Sequence, residues 1–594
     1  MLTLEPAGNG SQVQSSNISA VGAGLRLELT WQNVLPVPWV SQDEFRTIVV
    51  IGCPVCGEKI DRNAACAGLF PPREDFNAEF ARSLNGEFLV FHFCRTTGKL
   101  TIVNDRFNAY PLYYFASPSG AFHATPYFSE MWSLLNKLNQ LQINELTMFE
   151  FLWFQRVLGT KTYSKNVLYL PDATALEFSN GRTSLRRYWR RDYTKNNRSL
   201  AENAALMASL MRGSIRRKTS DGKRYGHFLS GGMDSRSVLA AFEKDPPVCF
   251  TATIAENREC ETARAIARAK GARHVHLTLA PEHYAKILEA SVRVNGGMYN
   301  YDHGLFYGFN KTVSDLVDVA FHGHGFDYMF QGMYIPRHRH KLAGRTLNFV
   351  TLASVPDDIA GHFINSVSYR VKDADILGLV RPERRQELKD ALHASVEEIL
   401  ADARRLSDNP YDHWEHLTFH HISRHYSYPN HASIATFVEQ RTISFDNDLF
   451  NLYLSLPVTQ RFDARIERRC LQLLDPRLAA IRSANTALPV TASSLEQTVH
   501  QLFEFVKRRI RGFEDHEEWT ERTWPERPQA LRRQAELKKA VLDACRSDAL
   551  DAISFLDQEK IRSLAPRWLE GESVPGLSGD FVQTLLTLLV FLKQ

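Results

Sequence analysis

Residues 229–235 read Leu-Ser-Gly-Gly-Met-Asp-Ser, and these types in this order suit phosphate chemistry. The stretch follows the apolar run Tyr225-Gly226-His227-Phe228-Leu229, which predicts a buried strand. It precedes Ser235–Phe242, whose apolar spacing predicts a helix. A strand turning on Ser230-Gly231-Gly232 into a helix presents unpaired backbone N–H groups where anions bind. Gly231 and Gly232 let that backbone approach a ligand closely. Leu229, Ser230, Gly231, Gly232, Met233, Asp234 and Ser235 are therefore the candidate nucleotide-binding residues. The lysine of the Gly-x-x-x-x-Gly-Lys loop is missing, so phosphate charge must meet donors, an ion or remote cations. Asp234 would repel phosphate directly; its consistent role is to hold Mg²⁺ beside it. The competing reading is a capped tight turn.

Three further strings carry reactive types. His322-Gly323-His324-Gly325-Phe326-Asp327 offers a second carboxylate, which with Asp234 makes a two-carboxylate cation site. A neutral His324 could accept a proton near pH 7. Glu439-Gln-Arg-Thr-Ile-Ser-Phe-Asp446 offers an acid that could orient such a histidine, as Asp does in a hydrolase triad. Arg465-Ile-Glu-Arg-Arg-Cys-Leu471 resembles a family Lys-x-x-x-Arg string, which implies charge stabilisation by Arg465, though not proton donation. The competing readings are a loop histidine bonded to backbone and a Glu439–Arg441 ion pair.

The Ser-Gly-Gly-x-Asp-Ser string resembles the pyrophosphate loop of the N-type ATP pyrophosphatases, among them asparagine synthetases, β-lactam synthetases and lasso-peptide cyclases. The resemblance covers about residues 85–490. It implies that ATP is split to AMP and pyrophosphate and that the AMP activates a substrate carboxylate. It implies roles for Gly323 and Gly325 in nucleotide binding, for Asp234 and Asp327 on Mg²⁺, and for His324, Glu439 and Arg465 in catalysis. The chain departs from the family at His324, where asparagine synthetases carry Glu, at Ile443, where Pro is usual, and at Arg465, where Lys is usual. Asn85-Gly-Glu-Phe88 and Asn104-Asp-Arg-Phe-Asn-Ala-Tyr-Pro-Leu-Tyr-Tyr114 resemble the second half of the glutamine amidotransferase domain of asparagine synthetases. That domain uses an N-terminal Cys as nucleophile; here residue 2 is Leu2, and residues 1–50 contain no Cys. Leucine cannot run thiolate chemistry, so no glutaminase activity is expected.

The elements needed to position these residues follow from pattern. Residues 1–20 are expected to fray, and residues from about 24 to 190 alternate like short strands. Glu87–Phe93 and Leu100–Val103 flank Arg95-Thr-Thr-Gly98 as a hairpin. From about 200 the rhythm becomes βαβα, with strands expected at 224–229, 248–254, 274–279 and 317–322 and helices at 235–243, 260–270 and 282–293. Residues from about 340 onward read as mainly helical. The fold class is thus α/β. The resemblance implies an Ntn-hydrolase-like αββα domain over 1–195 and a parallel-sheet, adenine nucleotide α-hydrolase-like synthetase domain over 196–490. A helical region, 491–594, follows.

Composition narrows the partners. The chain holds 594 residues, enough for two or three cores. Its 71 basic and 67 acidic residues nearly balance, which argues against nucleic acid as main partner. No signal pattern or membrane-length apolar run is read, so a cytoplasmic protein is expected. Cys53-Pro-Val-Cys56 is half a zinc motif without its other half, and buried free thiols are expected instead. The favoured function is ATP-dependent amide-bond formation by acyl adenylation, best suited to a lasso-peptide-type macrolactam cyclase. The expected partners are a carboxylate substrate such as a precursor peptide, and a maturation protease. The alternatives are amidation of a small acid or polysaccharide with free ammonia, and a catalytically inactive binding protein.

Overall fold

The computed structural model describes residues 1–6, 17–30, 37–71, 76–342, 344–484, 486–511 and 527–594. The first third is two antiparallel sheets packed face to face. One has six strands in the order Leu168–Tyr169, Tyr113–Ala116, Phe122–Thr125, Leu2–Pro6, Leu25–Thr30, Asn17–Gly22. The other runs Arg182–Arg187, Thr174–Ser179, Leu100–Asn104, Asn85–Cys94, Arg46–Cys56, Trp39–Gln42, with Lys59–Ile60 beside Arg46–Cys56. Strand alternation sorts the side chains into layers. Leu89, Phe91 and Phe93 face the opposite sheet, whereas Phe88 and Val90 face the helices Arg62–Leu69 and Ala78–Ser83. Helices Phe128–Lys137 and Glu145–Phe154 cover the other outer face, giving four layers, α-β-β-α.

Leu2 sits inside this sandwich, paired with Leu29 and Ala124 and 1% exposed. The expectation that residues 1–20 fray is therefore corrected: Leu2–Pro6 and Asn17–Gly22 are strands, held by cross-strand pairing and by the buried apolar face of Leu2, Ile18 and Ala20. Residues 7–16 lie outside the described residues.

The second domain is built on a five-stranded, all-parallel sheet in the order His274–Thr278, Val248–Thr253, Tyr225–Phe228, Val319–His322, Glu439–Arg441. The chain steps outward from Tyr225–Phe228 twice, then returns to its other side. The order reverses between Tyr225–Phe228 and Val319–His322, and such a reversal opens a crevice beyond the carboxyl ends of the two strands. Helices Met233–Ala240, Arg258–Lys270 and His283–Asn295 supply the crossovers. One departure from a helical 340–594 is the antiparallel hairpin Arg337–Leu342 and Arg345–Leu352.

The domains meet through buried polar pairs. Lys218 Nζ lies 2.5 Å from Glu87 Oε1, which also accepts from Thr442 N–H at 2.7 Å. Asn85 Nδ2 donates to Asp446 at 3.1 Å. The C-terminal helix Gly579–Leu592 wedges against both. Phe591 packs on Phe128, Trp132 and Tyr163, and Thr587 Oγ1 accepts from Tyr301 N–H. The eight cysteines are free thiols. Among the described residues, no helix is long and apolar enough to cross a membrane.

Candidate active site

The loop after Tyr225–Phe228 folds as its residue types require. Ser235 Oγ accepts from Ser230 N–H at 3.0 Å, and Ser230 Oγ accepts from Gly232 N–H at 3.2 Å. Gly232 then caps the helix Met233–Ala240 without a side-chain bond, leaving the first N–H groups free for an anion. His227 Nε2, beneath the loop, lies 2.7 Å from the Ser235 carbonyl and ties strand to helix. The loop after Val319–His322 arrives alongside. A Cβ on Gly323 would stand 2.9 Å from Ser235 N, so only glycine fits there. Gly325 has φ +93° and turns the chain into Phe326–Met329.

Both loops open on one cavity of about 840 Å³ at the reversal point. Leu229, Ser230, Asp234, Ser235, Gly323, His324 and Asp327 line it. Phe228, Phe250, Thr251, Ala252 and Phe306 give it an apolar wall, and Ser427 and Asn430 add polar groups. Among the described residues no lysine or arginine lines it.

Asp234 and Asp327 in its lining, and Glu467 behind Asp234, are mutually destabilised carboxylates. Burial, then Glu467 and Asp327, raise the Asp234 carboxyl well above its ordinary range. Burial lifts Asp327 to about 6 and Glu467 to about 7. Gln331 Nε2 donates to Asp234, and Ser237 Oγ donates to Glu467 at 2.9 Å. Buried like charges of this kind lack a counter-cation.

His324 is buried in an aromatic and imidazole box. Its Nε2 lies 2.9 Å from Tyr328 Oη, and its N–H donates to His322 Nδ1 at 3.1 Å. Rings of His425, His431 and Phe445 stand about it. Burial lowers its pKa to about 4, so the ring is neutral at neutral pH.

Two sequence-level placements need correction. Glu439 is not beside His324. It pairs in register with Val319, at the amino end of its strand and on the sheet edge opposite the cavity. Its carboxylate takes bonds from Arg441 Nε at 2.8 Å and Lys223 Nζ at 2.6 Å. The parallel register forces this, because the strand ends only two residues later. The same segment reaches the histidine through Ser444, whose Oγ donates to the His324 carbonyl at 2.5 Å. Arg465 is exposed at the start of the helix Arg465–Leu474 and donates to Thr459 O at 3.3 Å; it does not line the cavity. Glu467, two residues on, turns inward instead. Its signal was present in the sequence. The buried stripe Ile466, Glu467, Cys470, Leu471, Leu474 has helical spacing, and a carboxylate within an apolar stripe is anomalous.

An anion-binding loop at the reversal of a parallel sheet, joined to a four-layer sandwich, defines a two-domain nucleotide-binding α/β protein. Residues 206–475 match the family described as asparagine synthase, and residues 73–189 match that described as glutamine amidotransferase domain. The chain thus carries an asparagine synthase-like domain behind a glutamine amidotransferase-like domain. No curated protein matches it. Among solved structures it is matched to glutamine phosphoribosylpyrophosphate amidotransferase from B. subtilis complexed with ADP and GMP, at 9% identity and TM-score 0.17. A second, described as the allosteric regulatory enzyme of purine biosynthesis, stands at 8% and 0.17. Each match covers 43% of this chain and 51% of the other, so the chain spans about half the length of those structures. Likeness at that level supports no argument here.

Proposed function

We propose that the protein forms amide bonds at the expense of ATP. It adenylates a substrate carboxylate, releases pyrophosphate, and passes the acyl group to an amine. The observation that carries this reading is convergence: the loop Ser230–Ser235, the carboxylates of Asp234 and Asp327, and the neutral His324 face one cavity. The N–H groups that open the helix Met233–Ala240 would bind phosphate, and the wall of Phe228, Phe250 and Phe306 suits a purine ring.

Asp234 and Asp327 fit a Mg²⁺ ion, because they are hard oxygen donors whose buried charge lacks a counter-cation. Bound there, Mg²⁺ would supply charge neutralisation for the phosphates. The substrate carboxylate oxygen forms the new bond to the α-phosphorus as the bond to pyrophosphate breaks. An amine then attacks the acyl carbon and AMP leaves. His324, with Nε2–H donating to Tyr328, keeps its Nδ1 lone pair for the amine's proton. A phosphate beside the ring raises the basicity that burial lowers.

His324 in place of the family's Glu supports an amine borne by the substrate itself. A macrolactam cyclase acting on a peptide with both a side-chain carboxylate and an α-amine is the specific form proposed. The test uses peptides whose carboxylate oxygens carry a heavy isotope. One labelled oxygen should appear in AMP, and the peptide should lose one water. Formation of ADP and phosphate, or unlabelled AMP, would sink the adenylation reading. Labelled AMP with an intermolecular amide, or with free ammonia consumed, would sink only the cyclase.

A further inference from the structure

A second cluster of chemically capable side chains lies away from the ATP cavity, where the helices Arg385–Leu406 and Pro410–Phe419 meet the segment joining the two domains. His416 and His420 are four residues apart at the end of one helix, so both rings point the same way. Asp402 faces them from the other helix. One ring nitrogen of each histidine and an Asp402 oxygen lie within 4.8 Å of one another. His416 Nε2 is 3.4 Å from Asp402 Oδ2, a long contact that helps hold the Asp402 carboxyl below its ordinary range, and His420 Nδ1 has no hydrogen-bond partner. Buried polar atoms so weakly satisfied are costly unless something bridges them.

The surroundings are arranged as for ligands. Tyr193 Oη lies 3.0 Å from His416 Nδ1. If that nitrogen carries the proton, Nε2 is fixed as the lone-pair atom. Arg405 Nη2 donates to Asp402 Oδ1 at 3.0 Å, which leaves Oδ2 turned to the histidines. The nearby arginines are largely answered. Arg187 sits 2.8 Å from Asp172, and Arg191 lies 3.8 Å from it; Arg187 Nη1 stays 3.9 Å from Asp402 Oδ2. Asp402 is 15% exposed at its side chain, which leaves an entry path.

We propose that Asp402, His416 and His420 form a binding site for a divalent transition metal of the zinc class, with a fourth position open to water. Two imidazoles and a carboxylate are a zinc donor set. Tetrahedral zinc sets its ligand atoms about 3.3 Å apart, given bonds of about 2.0 Å. Side-chain rotation within the present 4.8 Å closes that gap. The ion would clamp the two helices together and, through Tyr193, hold the joining segment against them.

The test uses the untagged full chain, stripped with a chelator and titrated with Co²⁺. One equivalent should give visible d–d bands of a tetrahedral site, and Zn²⁺ should displace them. His420→Gln removes a half-buried ligand and should weaken Zn²⁺ binding by more than about 100-fold. Tyr193→Phe should cost the roughly 10–100-fold typical of a supporting residue. Zn²⁺ should raise the melting temperature of the wild type and not that of His420→Gln. Absence of cobalt bands, or equal zinc affinity in wild type and a folded His420→Gln, would overturn the site. Should His420→Gln fail to fold, an unchanged affinity in Tyr193→Phe together with no thermal shift in the wild type would do the same.

Discussion

His227 couples the nucleotide loop to the pH of the solution. The residue is fully buried beneath the loop, with Nε2 on the Ser235 carbonyl. Burial lowers its pKa from 6.5 to about 4. The unfolded chain therefore binds a proton below pH 6.5 that the folded chain refuses until about pH 4. Stability from the neutral ring is complete above pH 6.5 and is lost as pH falls through that window. Integrated to pH 5, one such group costs about 2 kcal/mol. His227→Gln keeps an amide donor for Ser235 and removes the titration. Urea unfolding followed by tryptophan fluorescence at pH 7.5 and pH 5 gives the comparison. Wild type should lose about 2 kcal/mol more than the variant between the two. Other buried histidines titrate in both proteins and cancel. Transitions that shift in parallel would refute the reasoning, and would mean that water or relaxation already solvates the ring.

Other consequences of the site are equally measurable. Asp234→Asn and Asp327→Asn should each slow pyrophosphate release by at least about 100-fold, as loss of a charge-stabilising contact does; normal rates in both would remove the cation assignment. Glu467 has a folded pKa raised to about 7, so its stability contribution is present below pH 4.5 and lost as pH rises through 7. Glu467→Gln should therefore melt higher than wild type at pH 8, by up to about 3 kcal/mol, with the gap closing at pH 5 and on adding Mg²⁺. His324→Gln should leave the pyrophosphate burst intact and slow amide formation by about 10²–10⁴; loss of the burst itself would place His324 in binding rather than proton transfer. Burial holds the His324 pKa near 4 in the free protein, so the kcat/KM profile should lose no inflection near pH 7 in that variant, whereas kcat reports the ring as raised by bound phosphate. Arg465→Ala should be kinetically silent, whereas Glu439→Gln should destabilise by about 3 kcal/mol without a specific kinetic defect, which denaturation and rate measurements separate.

Local pattern made the sheet legible. The Tyr225–Phe228 strand, the Ser230–Ser235 loop and the helix after it announce themselves by apolar runs and glycines, and the structure places their bounds within three residues. Asp327 and His324 were legible because they share one loop with Gly323 and Gly325. Glu439 was misplaced because a motif fixes chain order, not which edge of the sheet a residue occupies; strand register decides that. Arg465 was favoured over Glu467 because charge type was weighed and helical phase was not. Leu2–Pro6 looked like a frayed end because its partners, Leu25–Thr30 and Phe122–Thr125, are remote in sequence.

The helix Gly579–Leu592 sets a schedule for the protein's birth. Tyr301 and its partner Thr587 are 286 positions apart, and Phe591 fills the notch among Phe128, Trp132 and Tyr163. Ribosomes add about 5–20 residues each second, so that notch stays open for tens of seconds while the intervening chain is made. During this interval the nascent polypeptide displays an aromatic surface that only its own later residues can cover. A chaperone that shields such surfaces should engage it then and release it once residue 591 has emerged.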